Sequence, residues 1–173
     1  MRIVILAGGE GRRIGGGKPQ RLLGGVTLLD RALRIAHSWS DDVLVADGAT
    51  DLPGIEGPLG AIAGAFALGG DFLTMACDMP FLPADLPQRL GRESKAAALA
   101  ESGGRLHPVC ALWRARAGEG LAAYAASGRR SLRGFAEAVG YAAVAWEADP
   151  IDPFFNVNDE ADLARAEALL RSR

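Results

Sequence analysis

Residues 2–7, Arg-Ile-Val-Ile-Leu-Ala, form an unbroken apolar run rich in β-branched side chains that ends at Gly8-Gly9. A run without polar alternation predicts a strand buried on both faces, the central strand of a parallel sheet. From 8 to 25 glycine and arginine replace that pattern, which predicts a loop at the strand's carboxyl end. Leu28, Leu29, Ala32, Ile35, Ala36 and Trp39 then recur at helical spacing behind Thr27, with Asp30 three residues after it in a capping-box-like start. Apolar runs at 43–46 and 72–76 predict two more strands. Between them lie a polar Gly/Pro loop, 47–58, and a helix over 59–68 whose small residues predict very close packing on the sheet. A short helix over 82–90 follows, its start blurred by Pro83 and Pro87. Strands near 95–100 and 106–113 flank Gly103-Gly104 and read as a hairpin. Helices around 118–126 and 132–139, a strand at 141–146, and a last helix, 161–171, capped by Asp159, complete the chain. Strands alternating with helices, with one hairpin, predict an α/β fold: a single domain over 1–173, a Rossmann-like three-layer sandwich with a mostly parallel sheet and a mixed hairpin edge.

Composition changes this picture mainly by exclusion. Lysine and arginine number 19 against 21 acidic residues, a net charge of -2, so no whole-protein field attracts a polyanion and no nucleic-acid partner is expected. The first apolar run is too short for a signal sequence or a membrane span, so a cytoplasmic protein without a membrane partner is expected. Cys77 and Cys110 stand far apart and neither has a CxxC neighbour, which predicts two reduced, structural thiols. Of the 23 glycines, eight bunch between 8 and 25, a local demand for backbone freedom.

That crowded loop carries the first candidate chemistry. In open α/β sheets ligands bind outside the carboxyl ends of the strands, and Gly8-Gly9-Glu10-Gly11-Arg12-Arg13-Ile14-Gly15-Gly16-Gly17-Lys18 falls there. Glycines admit phosphate oxygens to backbone N–H groups, and Arg12, Arg13 and Lys18 supply positive charge, so a triphosphate site is the natural reading. Two common alternatives fit poorly. A dinucleotide fingerprint starting at Gly9 needs glycine where Ile14 stands; a P-loop ending at Lys18 needs glycine at Arg12 and serine or threonine at Pro19. Asp78, in Cys77-Asp78-Met79-Pro80 at the end of the third long strand, faces the same rim, where a carboxylate can hold Mg²⁺ against phosphate oxygens or simply cap a turn. Gly57-Pro58-Leu59-Gly60 at the start of a helix, His107-Pro108-Val109 within a strand, and Phe154-Phe155-Asn156-Val157-Asn158-Asp159 before the last helix complete the set.

In this order along nearly the whole chain, Leu6-Ala-Gly-Gly-Glu-Gly-Arg-Arg-Ile-Gly-Gly with Lys18, Gly-Pro-Leu-Gly, Cys-Asp-Met-Pro, His-Pro-Val-Cys-Ala-Leu and Phe-Phe-Asn-Val-Asn-Asp resemble the molybdenum cofactor guanylyltransferases. The resemblance implies a nucleotide-diphospho-sugar transferase-like fold and transfer of GMP from GTP to molybdenum-bound molybdopterin, with pyrophosphate released and Mg²⁺ as cofactor. It implies that Leu6, Ala7, Gly8 and Gly9 wrap the guanine and ribose, that Asp51, Gly57, Pro58 and Leu59 also face the nucleotide, and that Arg12 and Lys18 hold phosphate oxygens. Asp78 would ligate the metal, making Arg12, Lys18 and Asp78 the catalytic set. His107, Asn156 and Asn158 would lie on the molybdopterin side. Proteins that deliver molybdopterin or mature molybdoenzymes are the partners it suggests. A cytidylyltransferase or sugar-phosphate nucleotidyltransferase relative, and a non-catalytic nucleotide-binding homologue, are the alternatives. The chain departs from the family pattern at Gly17-Lys18-Pro19, one residue shorter and lacking the aspartate that usually precedes the lysine, and at Gly57-Pro58-Leu59-Gly60-Ala61, where the family's Ala-Gly is transposed.

Overall fold

A computed structural model describes residues 1–8, 17–46, 55 and 57–171. Its main sheet has six strands: β1 (Arg2–Leu6), β4 (Val43–Ala46), β5 (Phe72–Ala76), β6 (Ala97–Ser102), β7 (Arg105–Trp113) and β8 (Tyr141–Trp146). Their order is β4-β1-β5-β7-β6-β8. β1 runs parallel to both β4 and β5, β6 runs parallel to β8, and β7 is antiparallel to the strands on either side. β1 is central to the parallel half, as its unbroken apolar run requires. The hairpin lies one strand further in than an edge position: β8 closes the sheet outside β6, and β7 is the reversed strand within it.

Helices cover both faces. On one, α1 (Leu28–Trp39) and α3 (Leu86–Gly91) bury Ala32, Ala36, Leu86 and Leu90 against Ile3, Ile5, Leu73, Met75 and Leu112. On the other, α2 (Pro58–Ala67), α4 (Leu121–Ala126) and α5 (Leu132–Val139) pack on Val4, Leu6, Phe72, Leu99 and Trp113. Consecutive residues of β1 therefore go to opposite cores, the period-two consequence of a strand covered on both sides. α2 buries six of its ten residues, four of them glycine or alanine besides Leu59 and Ile62, which is the close approach its composition predicts. The polar atoms this face encloses are satisfied: Thr74 Oγ1 donates to the Ala111 carbonyl at 3.2 Å and accepts from Trp113 Nε1 at 3.1 Å.

Local signals explain the element ends. Asp30 N donates to Thr27 Oγ1 at 3.0 Å, the cap of α1, and Asp162 N donates to Asp159 Oδ1 at 2.8 Å at the start of α6 (Glu160–Arg171). Two expectations shift. The helix foreseen over 82–90 begins only at Leu86, because Pro83 and Pro87 resist regular helix before and within the first turn. The segment around 118–126 divides into a 3-10 turn, Ala115–Gly120, and α4. Part of 8–25 is also more ordered than a loop: Lys18–Gln20 is a 3-10 turn, and β2 (Leu22–Leu23) pairs with β3 (Val26–Thr27) across Gly24 and Gly25. Both glycines have positive φ, 58° and 76°, the left-handed conformation that a two-residue hairpin turn demands. A third cluster, Leu23, Leu28, Phe81, Val157 and Ala166, fixes this hairpin and α6 beside the carboxyl end of β5. No helix among the described residues is long and apolar enough to cross a membrane.

Candidate active site

The carboxyl ends of β1 and β5 lie side by side, with Leu6 opposite Ala76. Cys77 N donates to the Leu6 carbonyl at 3.3 Å, so the pairing extends one residue and delivers Asp78 at the rim where the chain leaves the sheet. The segment before α6 is tied to the same point, since Val157 N donates to the Asp78 carbonyl at 2.9 Å. That one backbone bond brings Asn156 and Asn158, nearly eighty residues further along, to either side of the aspartate.

Lys18 completes the group. Its Nζ forms an ion pair with Asp78 Oδ2 and donates to Asn158 Oδ1 at 3.1 Å and Asn156 Oδ1 at 3.4 Å. Both charged side chains are mostly buried, 17% and 14% exposed. Asp78 Oδ1 is buried and, among the described residues, has no hydrogen-bond partner. An unmet carboxylate oxygen next to two amide oxygens is a hard donor set with one formal charge, of the kind Mg²⁺ uses when water and substrate phosphates supply its remaining ligands. Among the described residues no group of three or more His, Cys, Asp and Glu side chains gathers as an alternative metal centre.

The structure brings together five of the residues singled out from the sequence: Lys18, Asp78, Asn156, Asn158 and His107. The last shares with both asparagines a cavity of about 480 Å³ that also takes in Met79, Arg105 and Asp152. His107 is buried, its ring stacked on Phe154 with centroids 4.8 Å apart, and its Nε2 lies 2.8 Å from Ser102 Oγ, which donates in turn to Asp152 Oδ1 at 2.8 Å. Burial lowers its pKa from the ordinary imidazole value, against the opposing pull of Asp152. It is thus both a satisfied core histidine and a cavity wall. Pro108, which has no N–H, follows it where the β6–β7 register shifts, so the missing donor falls at the irregularity in the ladder.

Leu6, Ala7 and Gly8 lie at the same rim, but the N–H groups of Ala7 and Gly8 both donate to the Ala46 carbonyl, at 2.9 and 3.1 Å. They hold β1 to β4 rather than reaching for a phosphate. Gly57 caps α2 with φ 71° and is exposed, as is Pro58, whereas the Leu59 side chain is wholly buried and anchors the helix in the core. Side-chain contact with a ligand is therefore not open to Leu59. Gly9, Arg12 and Asp51 lie outside the described residues. Cys77 and Cys110 are free and buried, and burial pushes both thiols up to about 12, as expected of structural cysteines. Ser102, Arg105 and Asp152 were not singled out from the sequence; the signal for Arg105 was its i, i+2 relation to His107 on one strand.

A doubly covered α/β sheet whose strand ends gather a lysine, an aspartate and amide oxygens beside a polar cavity defines the class as nucleotidyltransferase-like. Comparison with known proteins gives the particular family. Residues 3–140 match the model of the MobA-like NTP transferase domain. A protein of Cereibacter sphaeroides named molybdenum cofactor guanylyltransferase is 41% identical over 187 aligned positions, covering 97% of this chain and 96% of its own. One of the same name from a Bradyrhizobium species is 39% identical, covering 96% and 91%. The chain belongs to this family of molybdenum cofactor guanylyltransferases. Among solved structures, molybdopterin-guanine dinucleotide biosynthesis protein A from Archaeoglobus fulgidus superposes with a TM-score of 0.77 at 21% identity, covering all of both chains. The 2-C-methyl-D-erythritol 4-phosphate cytidylyltransferase of Thermus thermophilus gives 0.67 at 22%, covering 98% of each chain. Both share the fold.

Proposed function

We propose that this nucleotidyltransferase transfers the GMP moiety of GTP to the terminal phosphate of molybdenum-bound molybdopterin, giving molybdopterin guanine dinucleotide and pyrophosphate. The observation that carries the reading is the near-40% identity, over almost the full length of both chains, to proteins of that named activity. In the step itself an oxygen of the acceptor phosphate bonds to the α-phosphorus of GTP. The bond from that phosphorus to its bridging oxygen breaks, and the electron pair leaves on pyrophosphate. Both reactants and the leaving group are anionic, so positioning and charge neutralisation are what a protein must supply.

Lys18 supplies a fixed positive charge at the rim, held in place by Asp78, Asn156 and Asn158 until phosphates compete for it. Asp78, with its unmet oxygen, and the two asparagines are the residues that would hold Mg²⁺. When bound there, the ion supplies Lewis-acid neutralisation of triphosphate oxygens. Gly8, Gly57 and Pro58 are exposed on the nucleotide side; Gly9, Arg12 and Asp51 are assigned to the nucleotide by their match to the family motif alone. The cavity walled by His107, Asn156 and Asn158 lies next to the lysine and receives the pterin phosphate. The protein works in the cytoplasm, alongside those that deliver molybdopterin and use its dinucleotide.

The test is product formation from GTP and molybdenum-bound molybdopterin, with and without Mg²⁺, beside the same assay with CTP and ATP. Dinucleotide and pyrophosphate with GTP and Mg²⁺ alone is the expected result. Preference for CTP would reassign the chain to a cytidylyltransferase activity. Binding of GTP without turnover would favour a non-catalytic homologue.

A further inference from the structure

The inference rests on the reading just given, in which the cavity beside Asn156 and Asn158 receives the acceptor, and adds the residue that grips it. Arg105 opens β7. Gly103 and Gly104, at φ 55° and 75°, make the tight turn before it, so Arg105 stands directly opposite Ser102 in the ladder. Strand alternation puts Arg105 on the same face as His107 two residues on, and both line the cavity. Other groups on this wall are already engaged. Asp152 Oδ1 accepts from Ser102 Oγ and from Phe154 N at 2.8 and 2.9 Å, and Asp162 Oδ2 accepts from Asn158 N at 2.9 Å. Arg105 is different: it is exposed, and among the described residues no hydrogen bond or ion pair holds its guanidinium, although two carboxylates line the same cavity. It is also the one lysine or arginine among the described residues of that lining. A guanidinium presents its N–H donors in a planar fork that matches two oxygens of a phosphate.

We propose that Arg105 is the acceptor-binding residue of this enzyme, gripping the phosphate monoester of the incoming pterin from the cavity wall at the start of β7. Two of the phosphate oxygens engage the fork and the third is left to attack. Because this contact is made before and during reaction alike, its loss weakens acceptor binding more than turnover. The side chain stands at the exposed mouth of the hairpin, so its replacement leaves the fold intact.

The experiment is steady-state kinetics of the wild-type chain, Arg105→Gln and Arg105→Lys with molybdenum-bound molybdopterin varied at saturating GTP, with calorimetric GTP binding measured on each. Arg105→Gln is expected to raise the acceptor KM by about tenfold or more, with kcat and GTP affinity within about twofold of wild type, and Arg105→Lys to recover part of the loss. An acceptor KM for Arg105→Gln within about twofold of wild type, or an equal loss in GTP affinity, overturns the assignment. Failure of the wild-type chain to make any dinucleotide overturns the functional reading itself, an outcome distinct from an active enzyme indifferent to Arg105.

Discussion

Asp78→Asn tests whether the aspartate serves reaction or stability. The carboxylate has one oxygen paired with Lys18 and the other buried without a described partner. An unmet buried acceptor costs about 1–3 kcal/mol. The ion pair, 17% and 14% exposed, lies between the ~0–1 kcal/mol of exposed pairs and the ~3–5 kcal/mol lost when one partner of a fully buried pair is removed. These contributions oppose each other, and asparagine keeps an oxygen for Lys18. The net change in stability should stay within about 1 kcal/mol, a Tm shift of roughly 2–4 °C for a domain of this size. Catalysis has no such compensation, because the charge that positions Lys18 and would hold the cation is gone. Turnover should fall at least about a hundredfold, equivalent to ~2.7 kcal/mol of barrier. Pyrophosphate release at saturating GTP and molybdenum-bound molybdopterin measures the first quantity, and a thermal melt the second. Turnover within tenfold of wild type would refute the assignment of Asp78. A Tm drop beyond about 8 °C would trace the loss to folding instead.

Lys18→Met removes the donor shared by Asp78, Asn156 and Asn158; in the same assay turnover should fall about 10²- to 10³-fold, and a smaller than tenfold change would exclude Lys18 from the phosphate site. Phe154→Ala strips the ring that is 2% exposed and packs on both His107 and Trp146, and should cost about 3–5 kcal/mol in urea unfolding; a loss under about 1 kcal/mol would mean that the segment is not anchored there. For His107 the sign runs one way: burial holds its folded pKa below the ordinary 6.5, with Asp152 and Glu101 opposing and Arg105 assisting, so the unfolded chain binds more protons. Stability contributed through His107 is present above about pH 6.5 and lost as pH falls through the folded pKa, and His107→Gln should flatten that slope in unfolding titrations; an identical slope would contradict it. Neither thiol should react with a disulfide reagent near pH 8 until denaturant is added, whereupon both should, since burial pushes each up to about 12.

The parallel half of the sheet was legible because β1 and β5 are short apolar runs bounded by glycine or Asp71 and Cys77-Asp78, and α1 because Thr27 and Asp30 cap a six-position apolar stripe. Where β7 would insert was not legible. A hairpin can be read from Gly103-Gly104, but nothing local tells the chain that Leu73 will meet Leu112 rather than leave β7 at an edge. The β2–β3 hairpin carried its own signal, Leu-Leu, Gly-Gly, Val-Thr, masked by the surrounding glycines. At the site, the order of motifs along the chain singled out Lys18, Asp78 and the two asparagines, and the fold brings these four side chains into contact. Arg105 escaped because an unpaired arginine next to a turn reads from sequence as a solvated surface charge; only the cavity on its side of the strand distinguishes it.

The asparagines themselves show how a polar site is set by apolar neighbours. In Phe154-Phe155-Asn156-Val157-Asn158 neither amide is held chiefly by bonds within its own segment. Asn158 Nδ2 reaches the Asn156 carbonyl at only 3.4 Å. What fixes them is the anchoring on either side: Phe154 is buried in the core beneath β6 and β8, and Val157, fully buried, sits in the separate cluster made by Leu23, Leu28, Phe81 and α6. With Phe154 and Val157 clamped in different cores and the Val157 N–H bonded to the Asp78 carbonyl, Asn156 between them and Asn158 just beyond, its own N–H held by Asp162, are left to turn their amide oxygens to Lys18. The cost of ordering the site is therefore carried by hydrophobic burial remote from the chemistry. That arrangement leaves the oxygens of Asp78, Asn156 and Asn158 free to exchange a lysine for other cations without loosening the fold that presents them.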